Sequence, residues 1–140
     1  MTPSLLEETQ ERNLRNNWSR RKDLAKKIGS YNGYDLFDYQ DKTLGRVVFY
    51  LVRGDVPVGY IAAHDPKNGP IITSTYLTEI VRRKGLCTFA YGCIIQTRGS
   101  LTSDWDRTDG AVGVWKKLTV DSRFHITYDE DKNTYIGIPK

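Results

Sequence analysis

The chain has 140 residues, 39% of them hydrophobic and 27% charged, the proportions of one soluble globular domain over 1–140 with enough chain to bury a core. Its formal net charge of +4 favours acidic ligands without marking a nucleic-acid binder by itself. No run approaches the roughly 20 apolar residues of a membrane span, and an acidic start with no adequate apolar core behind it argues against a signal peptide.

Residues 1–29 read as a basic helical segment. Thr2-Pro3 and the capping-box pattern Ser4-Leu5-Leu6-Glu7 mark a start, Gly29 marks a stop, and Leu14, Trp18, Ala25 and Ile28 can share one apolar face. Seven basic residues lie between Arg12 and Lys27, opposed only by Asp23. That outer face is either a solvated back or a platform for an acidic protein or nucleic acid. No recognisable nucleic-acid motif accompanies it, so nucleic acid is the less favoured partner.

A run of strands follows. Tyr34–Tyr39 alternates, Arg46–Val52 is strongly β-prone and Val58–Ala63 follows Arg53-Gly54-Asp55-Val56-Pro57. Turn signals at Gly54-Asp55 and Asn68-Gly69-Pro70 stand at hairpin distances and predict an antiparallel meander. The stretch Pro70–Ile80, rich in β-branched and aromatic residues, reads as a further strand.

The chemically odd segment comes next, Ile80-Val81-Arg82-Arg83-Lys84-Gly85-Leu86-Cys87-Thr88. After Gly85, the residues Leu86, Phe89, Ala90, Cys93 and Ile94 recur at helical spacing, and Arg98-Gly99 supplies a basic last turn and a stop. Three cations therefore precede a helix start, whose partial positive charge disfavours each by about 0.3–1 kcal/mol unless an anion arrives. A phosphate or pyrophosphate would compensate them and would accept from the unpaired backbone N–H groups there.

A short strand at Leu101-Thr102-Ser103, running parallel to its predecessor, would complete a right-handed crossover. A helix over about Thr108–Leu118 and two strands near Phe124–Tyr128 and Thr134–Ile138 end the chain. The only cysteines, Cys87 and Cys93, lie close together in one predicted helix and cannot meet disulfide geometry. Reduced thiols in a cytoplasmic compartment are expected, and no metal site is, because neither cysteine is spaced as a ligand partner of His64 or His125.

This order of elements, over residues 31–138, resembles the GNAT superfamily of acyl-CoA-dependent N-acetyltransferases. Arg82-Arg83-Lys84-Gly85-Leu86-Cys87 is similar to that family's Arg/Gln-x-x-Gly-x-Gly/Ala loop at Arg82 and Gly85, with Cys87 as the small final residue. Ala111-Val112-Gly113-Val114-Trp115 is similar to its Ala-x-x-x-Tyr helix, with Trp115 at the aromatic position. Leu101-Thr102-Ser103-Asp104 and Val114-Trp115-Lys116-Lys117-Leu118 loosely resemble bacteriophage members, which would place the protein in a host cytoplasm.

The resemblance implies an α+β fold with a mixed, mostly antiparallel central sheet flanked by helices, here with an extra N-terminal basic helix. It implies acetyl-CoA as cofactor, bound by the loop Arg82, Arg83, Lys84, Gly85, Leu86, Cys87 and Thr88, with the backbone of Arg83–Thr88 around the pyrophosphate. Leu77 and Thr78 would meet the pantetheine and orient the acyl carbonyl, Thr108 would touch the pantetheine arm, and Trp115 would line the site. The implied reaction is direct attack of an amine on the thioester, needing a base for the ammonium and an acid for the thiolate. The family's acid is the tyrosine at the place of Trp115, whose indole N–H is not a useful proton source.

Tyr128 is therefore the acid candidate, with Tyr76 and Tyr135 as substitutes. Glu79 and Asp104 are the base candidates, and His64 is a weaker one on a turn. The acceptor is an amine of a small molecule or of a protein, a host protein included, met by loops of residues 20–40 and by the C-terminal strands. The competing expectation is a non-catalytic member of the fold that binds a host or virion protein through its basic helix.

Overall fold

The computed structural model describes residues 5–104 and 109–140. Helix α1 (Leu5–Arg21) and a 3-10 turn (Lys22–Leu24) lead into strands β1 (Lys26–Tyr31), β2 (Tyr34–Asp41), β3 (Arg46–Arg53), β4 (Val56–His64) and β5 (Ile71–Leu77). A second 3-10 turn (Glu79–Val81) precedes α2 (Leu86–Arg98), followed by β6 (Leu101–Thr102), α3 (Asp109–Thr119), β7 (Phe124–Asp129) and β8 (Thr134–Pro139). The strands form one sheet in the order β1-β2-β3-β4-β5-β6-β8-β7. All of its pairings are antiparallel except that of β5 with β6. This is the expected α+β arrangement, including the parallel return at β6.

Strand β3 shows why the sheet lies between two layers of helix. Its apolar residues occupy both parities, so both faces must be covered. Val47, Phe49 and Leu51 join the core beneath α2 and α3, with Leu86, Ala90, Ile94, Trp115 and Leu118. Val48, Tyr50 and Val52 face α1, where Leu14 and Trp18 are buried one helical turn apart. The Trp18 ring lies 4.9 Å from Phe37 and 5.3 Å from Tyr50. Arg21 closes this contact by donating from Nη1 to the Tyr50 hydroxyl at 2.6 Å while covering the Tyr39 ring.

The basic helix ends eight residues before Gly29, and this corrects the sequence reading. Lys26, Lys27, Ile28 and Gly29 belong to β1, which pairs with β2 from Lys26↔Asp38 to Tyr31↔Tyr34. Leu14, Trp18 and Ala25 share one core as expected, whereas Ile28 packs on the opposite side of the sheet. The overlooked signal is Asn32-Gly33, whose positive φ angles of 50° and 84° make the tight turn between β1 and β2. Strand β5 is also shorter than expected, ending at Leu77, with Glu79-Ile80-Val81 turned into the 3-10 segment. The capping-box residue Ser4 lies outside the described residues.

Among the described residues no helix is long and apolar enough to cross a membrane, and no three His, Cys, Asp or Glu gather as metal ligands.

The C-terminal end of α2 is pinned by Arg98. Its guanidinium donates to Asp38 from Nη2 at 2.9 Å and Nε at 3.1 Å, to Asp65 from Nη1 at 3.1 Å and to Gln40 from Nη2 at 2.9 Å. One side chain thus ties α2 to β2 and to the β4–β5 loop, and a cation in a last helical turn also meets the favourable end of the helix dipole. Arg98→Met leaves two half-buried carboxylates facing an apolar side chain. It is expected to lower stability in urea unfolding by about 2–3 kcal/mol. Arg98→Lys should recover only a minor part, because a point charge cannot fork between both carboxylates.

Candidate acyl-transfer site

Among the described residues the two halves of the sheet meet only at one end. Strand β5 pairs with β6 at one position, Ile71↔Thr102, and the two then diverge around a cleft of about 730 Å³. The β4–β5 register slips between Ala62↔Ser74 and Ala63↔Ile72, making Thr73 an extra residue on β5. Such a bulge re-aims the strand beyond it. The Thr78 N–H donates to the Val58 carbonyl at 2.8 Å on the β4 side. The Leu77 carbonyl, on the same peptide, points the other way and accepts from Arg82 Nε at 2.9 Å. Strand alternation turns the Leu77 N–H toward the cleft as well.

The cleft's upper wall is the start of α2. Gly85 holds the N-cap position at φ 77°, and no side chain caps the helix. Arg83 just before it also has a positive φ, 64°, a conformation that costs a non-glycine residue roughly 1–2 kcal/mol. The first helical hydrogen bond runs from the Phe89 N–H to the Gly85 carbonyl, so the N–H groups of Leu86, Cys87 and Thr88 lie ahead of it. These residues, together with Arg82, Arg83 and Lys117 of α3, line the cleft. Backbone donors and cations around one space are a donor set that fits a phosphate or pyrophosphate.

The loop cations divide by role. Arg82 lines the cleft and already has an anionic partner, donating to Glu7 of α1 at 2.7 Å as well as to the Leu77 carbonyl. Arg83 is exposed at the cleft edge, and Lys84 is exposed without lining it. The expectation of three uncompensated cations is corrected accordingly.

The catalytic candidates are also separated. Asp104, half-buried just beyond β6, is the only carboxylate lining the cleft among the described residues. Glu79 is exposed on the 3-10 turn and His64 is exposed at the end of β4, neither of them on the cleft. Tyr128 is 43% exposed on β7 and hydrogen-bonds Asn133. A row of rings, Tyr128 against Tyr135 at 4.9 Å and Tyr135 stacked on Trp115 at 5.7 Å, lies between it and the cleft. Tyr76 is buried on the α1 face. Thr78 does not line the cleft, and Thr108 lies outside the described residues.

Two cleft residues bear directly on chemistry. Cys87 lines the space, but burial pushes its thiol up to about 11, so it is a poor nucleophile at neutral pH. Tyr91, which sequence reading passed over, stands four residues along α2 from Cys87 and so shares its face. Its ring lies 5.5 Å from Trp115, and its hydroxyl is 3.4 Å from that of Thr75. The Cys87–Tyr91 spacing was the signal available in the sequence.

No family model matches the chain, and no curated protein matches it by sequence. Among solved structures, one similar chain is a candidate acyl-CoA N-acyltransferase from Klebsiella pneumoniae subsp. pneumoniae MGH 78578. The likeness has a TM-score of 0.50 at 12% identity and covers 99% of this chain and 93% of that one. The likeness is one of fold, and it is the fold that the sequence resemblance implied.

With its thiol at about 11, Cys87 holds roughly one thiolate per thousand molecules at pH 8. Iodoacetamide at that pH is expected to alkylate it about a hundredfold more slowly than free cysteine, as followed by peptide mass spectrometry.

Proposed function

We propose that the protein is an acetyl-CoA-dependent N-acetyltransferase acting on an amine. The observation that carries this reading is the uncapped start of α2 opening onto a cleft that splits the sheet. The N–H groups of Leu86, Cys87 and Thr88, with Arg83 and Lys117, would hold the pyrophosphate, and the Leu77 N–H faces the space left for an extended chain. The bound cofactor supplies a thioester whose acyl carbon is open to an amine.

A short acyl group fits best, because the bulky rings of Trp115 and Tyr91 border the cleft, with Tyr135 stacked behind Trp115. Asp104, which lines the cleft, would take the proton lost by the attacking ammonium, directly or through water. The buried Cys87 stays a thiol, which favours direct transfer over an acyl-enzyme. The acceptor in this reading is an amine of a small molecule or of a protein, a host protein included if the chain is phage-encoded.

One feature favours a second reading, in which the fold serves as a binding module. Arg12, Arg15 and Arg20 are all exposed on α1 and are available to an acidic protein surface. Arg21 is not, since it is engaged with Tyr50 and Tyr39. Charge reversal at Arg12, Arg15 and Arg20 should then destroy partner capture, with Gly85→Glu leaving it intact.

Calorimetry with acetyl-CoA tests the first reading. The protein is expected to give saturable binding, which Gly85→Glu lowers at least a hundredfold by setting a carboxylate against the phosphates. Asp104→Asn should keep binding while lowering kcat about 10²–10⁴-fold. Absence of binding by the unmodified protein overturns the reading.

A further inference from the structure

Transfer of an acyl group from a thioester leaves negative charge on sulfur, and a cleft lined mostly by apolar groups cannot leave that charge unpartnered. The aromatic residue that α3 presents, Trp115, carries only an indole N–H, is 1% exposed and is stacked on Tyr135. The hydroxyl-bearing residues Ser74, Thr75 and Thr88 also line the cleft, as does Tyr91. Tyr91 differs from the other three in two respects: it is 3% exposed while still bordering the cleft, and its ring lies beside Trp115 at 5.5 Å. Its oxygen lies 3.4 Å from the Thr75 hydroxyl.

We infer that the Tyr91 hydroxyl is the donor that meets the departing thiolate, so that α2 supplies from below the group that Trp115 does not supply from α3. The inference rests on the acyl-CoA reading and adds a catalytic residue to it. In the step itself, the amine nitrogen forms a bond to the acyl carbon, the carbon–sulfur bond breaks and sulfur leaves with the electron pair. The nitrogen's proton passes toward Asp104, and the sulfur accepts a hydrogen bond from Tyr91, then takes a proton from solvent.

Two features fit Tyr91 to donating a hydrogen bond rather than a proton. Burial raises its phenol to about 12, above the range of a free thiol, and its Thr75 neighbour can donate or accept. The hydroxyl therefore remains a neutral donor throughout the pH range in which a thiol ionises. A donor aimed at a charge that appears only on bond cleavage stabilises the transition state more than the ground state.

Free CoA, whose thiol ionises near about 8.5 like that of a cysteine, is the probe, and its affinity against pH is the readout. If Tyr91 meets the sulfur, binding measured by calorimetry tightens about tenfold between pH 6.5 and 9.5 and then levels off. In Tyr91→Phe the same titration is flat when each point is referred to that variant's own affinity at pH 6.5. CoA lacking its terminal sulfur should bind both proteins equally and without this rise.

A CoA profile that rises equally in Tyr91→Phe overturns the assignment while leaving the cofactor reading in place. Absence of CoA binding by the unmodified protein overturns both. Should Tyr91→Phe fold poorly, Tyr91→3-fluorotyrosine keeps the ring and hydroxyl while lowering the phenol's pKa. It is expected to retain the rise in affinity, and a flat profile there counts against the hydroxyl's role.

Discussion

Strands β5 and β6 touch at a single register pair, Ile71↔Thr102, and the functional geometry depends on that separation. A sheet that parts in its middle leaves backbone donors and acceptors without ladder partners, and burying them unpaired would cost about 1–3 kcal/mol each. The protein manages this in part with its own side chains. Arg82 Nε takes the Leu77 carbonyl, while the bulge at Thr73 sends the Thr78 N–H back to Val58 on β4. What stays open is the wall facing α2 and α3, a place where an extended ligand can act as the missing strand.

The loop before α2 is held by contacts that span the whole molecule. Glu7 reaches Arg82 from the opposite face of the sheet, although α1 itself is anchored chiefly by Leu14, Trp18 and Arg21. The ion pair is partly exposed, with side-chain accessibilities of 45% and 21%, and exposed pairs of this kind contribute only about 0.2–1 kcal/mol. Its consequence is positional. Arg82 is drawn toward α1 and the β5 terminus, while Arg83, in its left-handed conformation, borders the cleft beside it without an ion pair of its own among the described residues to hold it.

Much of this was legible in the sequence, for identifiable reasons. The meander, the glycine loop and α2 announce themselves through local signals, namely alternation, turn dipeptides and a 3.6-residue period, and those signals agree with the tertiary outcome. The Lys26–Gly29 segment was misread because its charges suited a helix back, while its strand character comes from pairing with β2 and from Asn32-Gly33. The site was harder. Whether Glu79, Asp104 or Tyr128 faces the cleft depends on the splay angle and on the Trp115–Tyr135–Tyr128 row of rings, neither of which has a local sequence signature. That Arg82 has a carboxylate partner could not be read locally, because Glu7 is 75 residues away in the chain.

Under the proposed acyl-CoA reading, the aromatic row also bears on how the Tyr91 donor would be held. Trp115 fills the volume at that position and, stacked flat on Tyr135 at an interplanar angle of 5°, fixes a rigid wall at which Tyr91 ends. A flexible side chain there would leave Tyr91 free to swing, and a donor that must reorganise during bond cleavage loses much of its electrostatic advantage. Burial among these rings both orients the Tyr91 hydroxyl and raises its pKa to about 12. The environment that keeps the hydroxyl neutral is the same one that strengthens its interaction with a charge formed beside it.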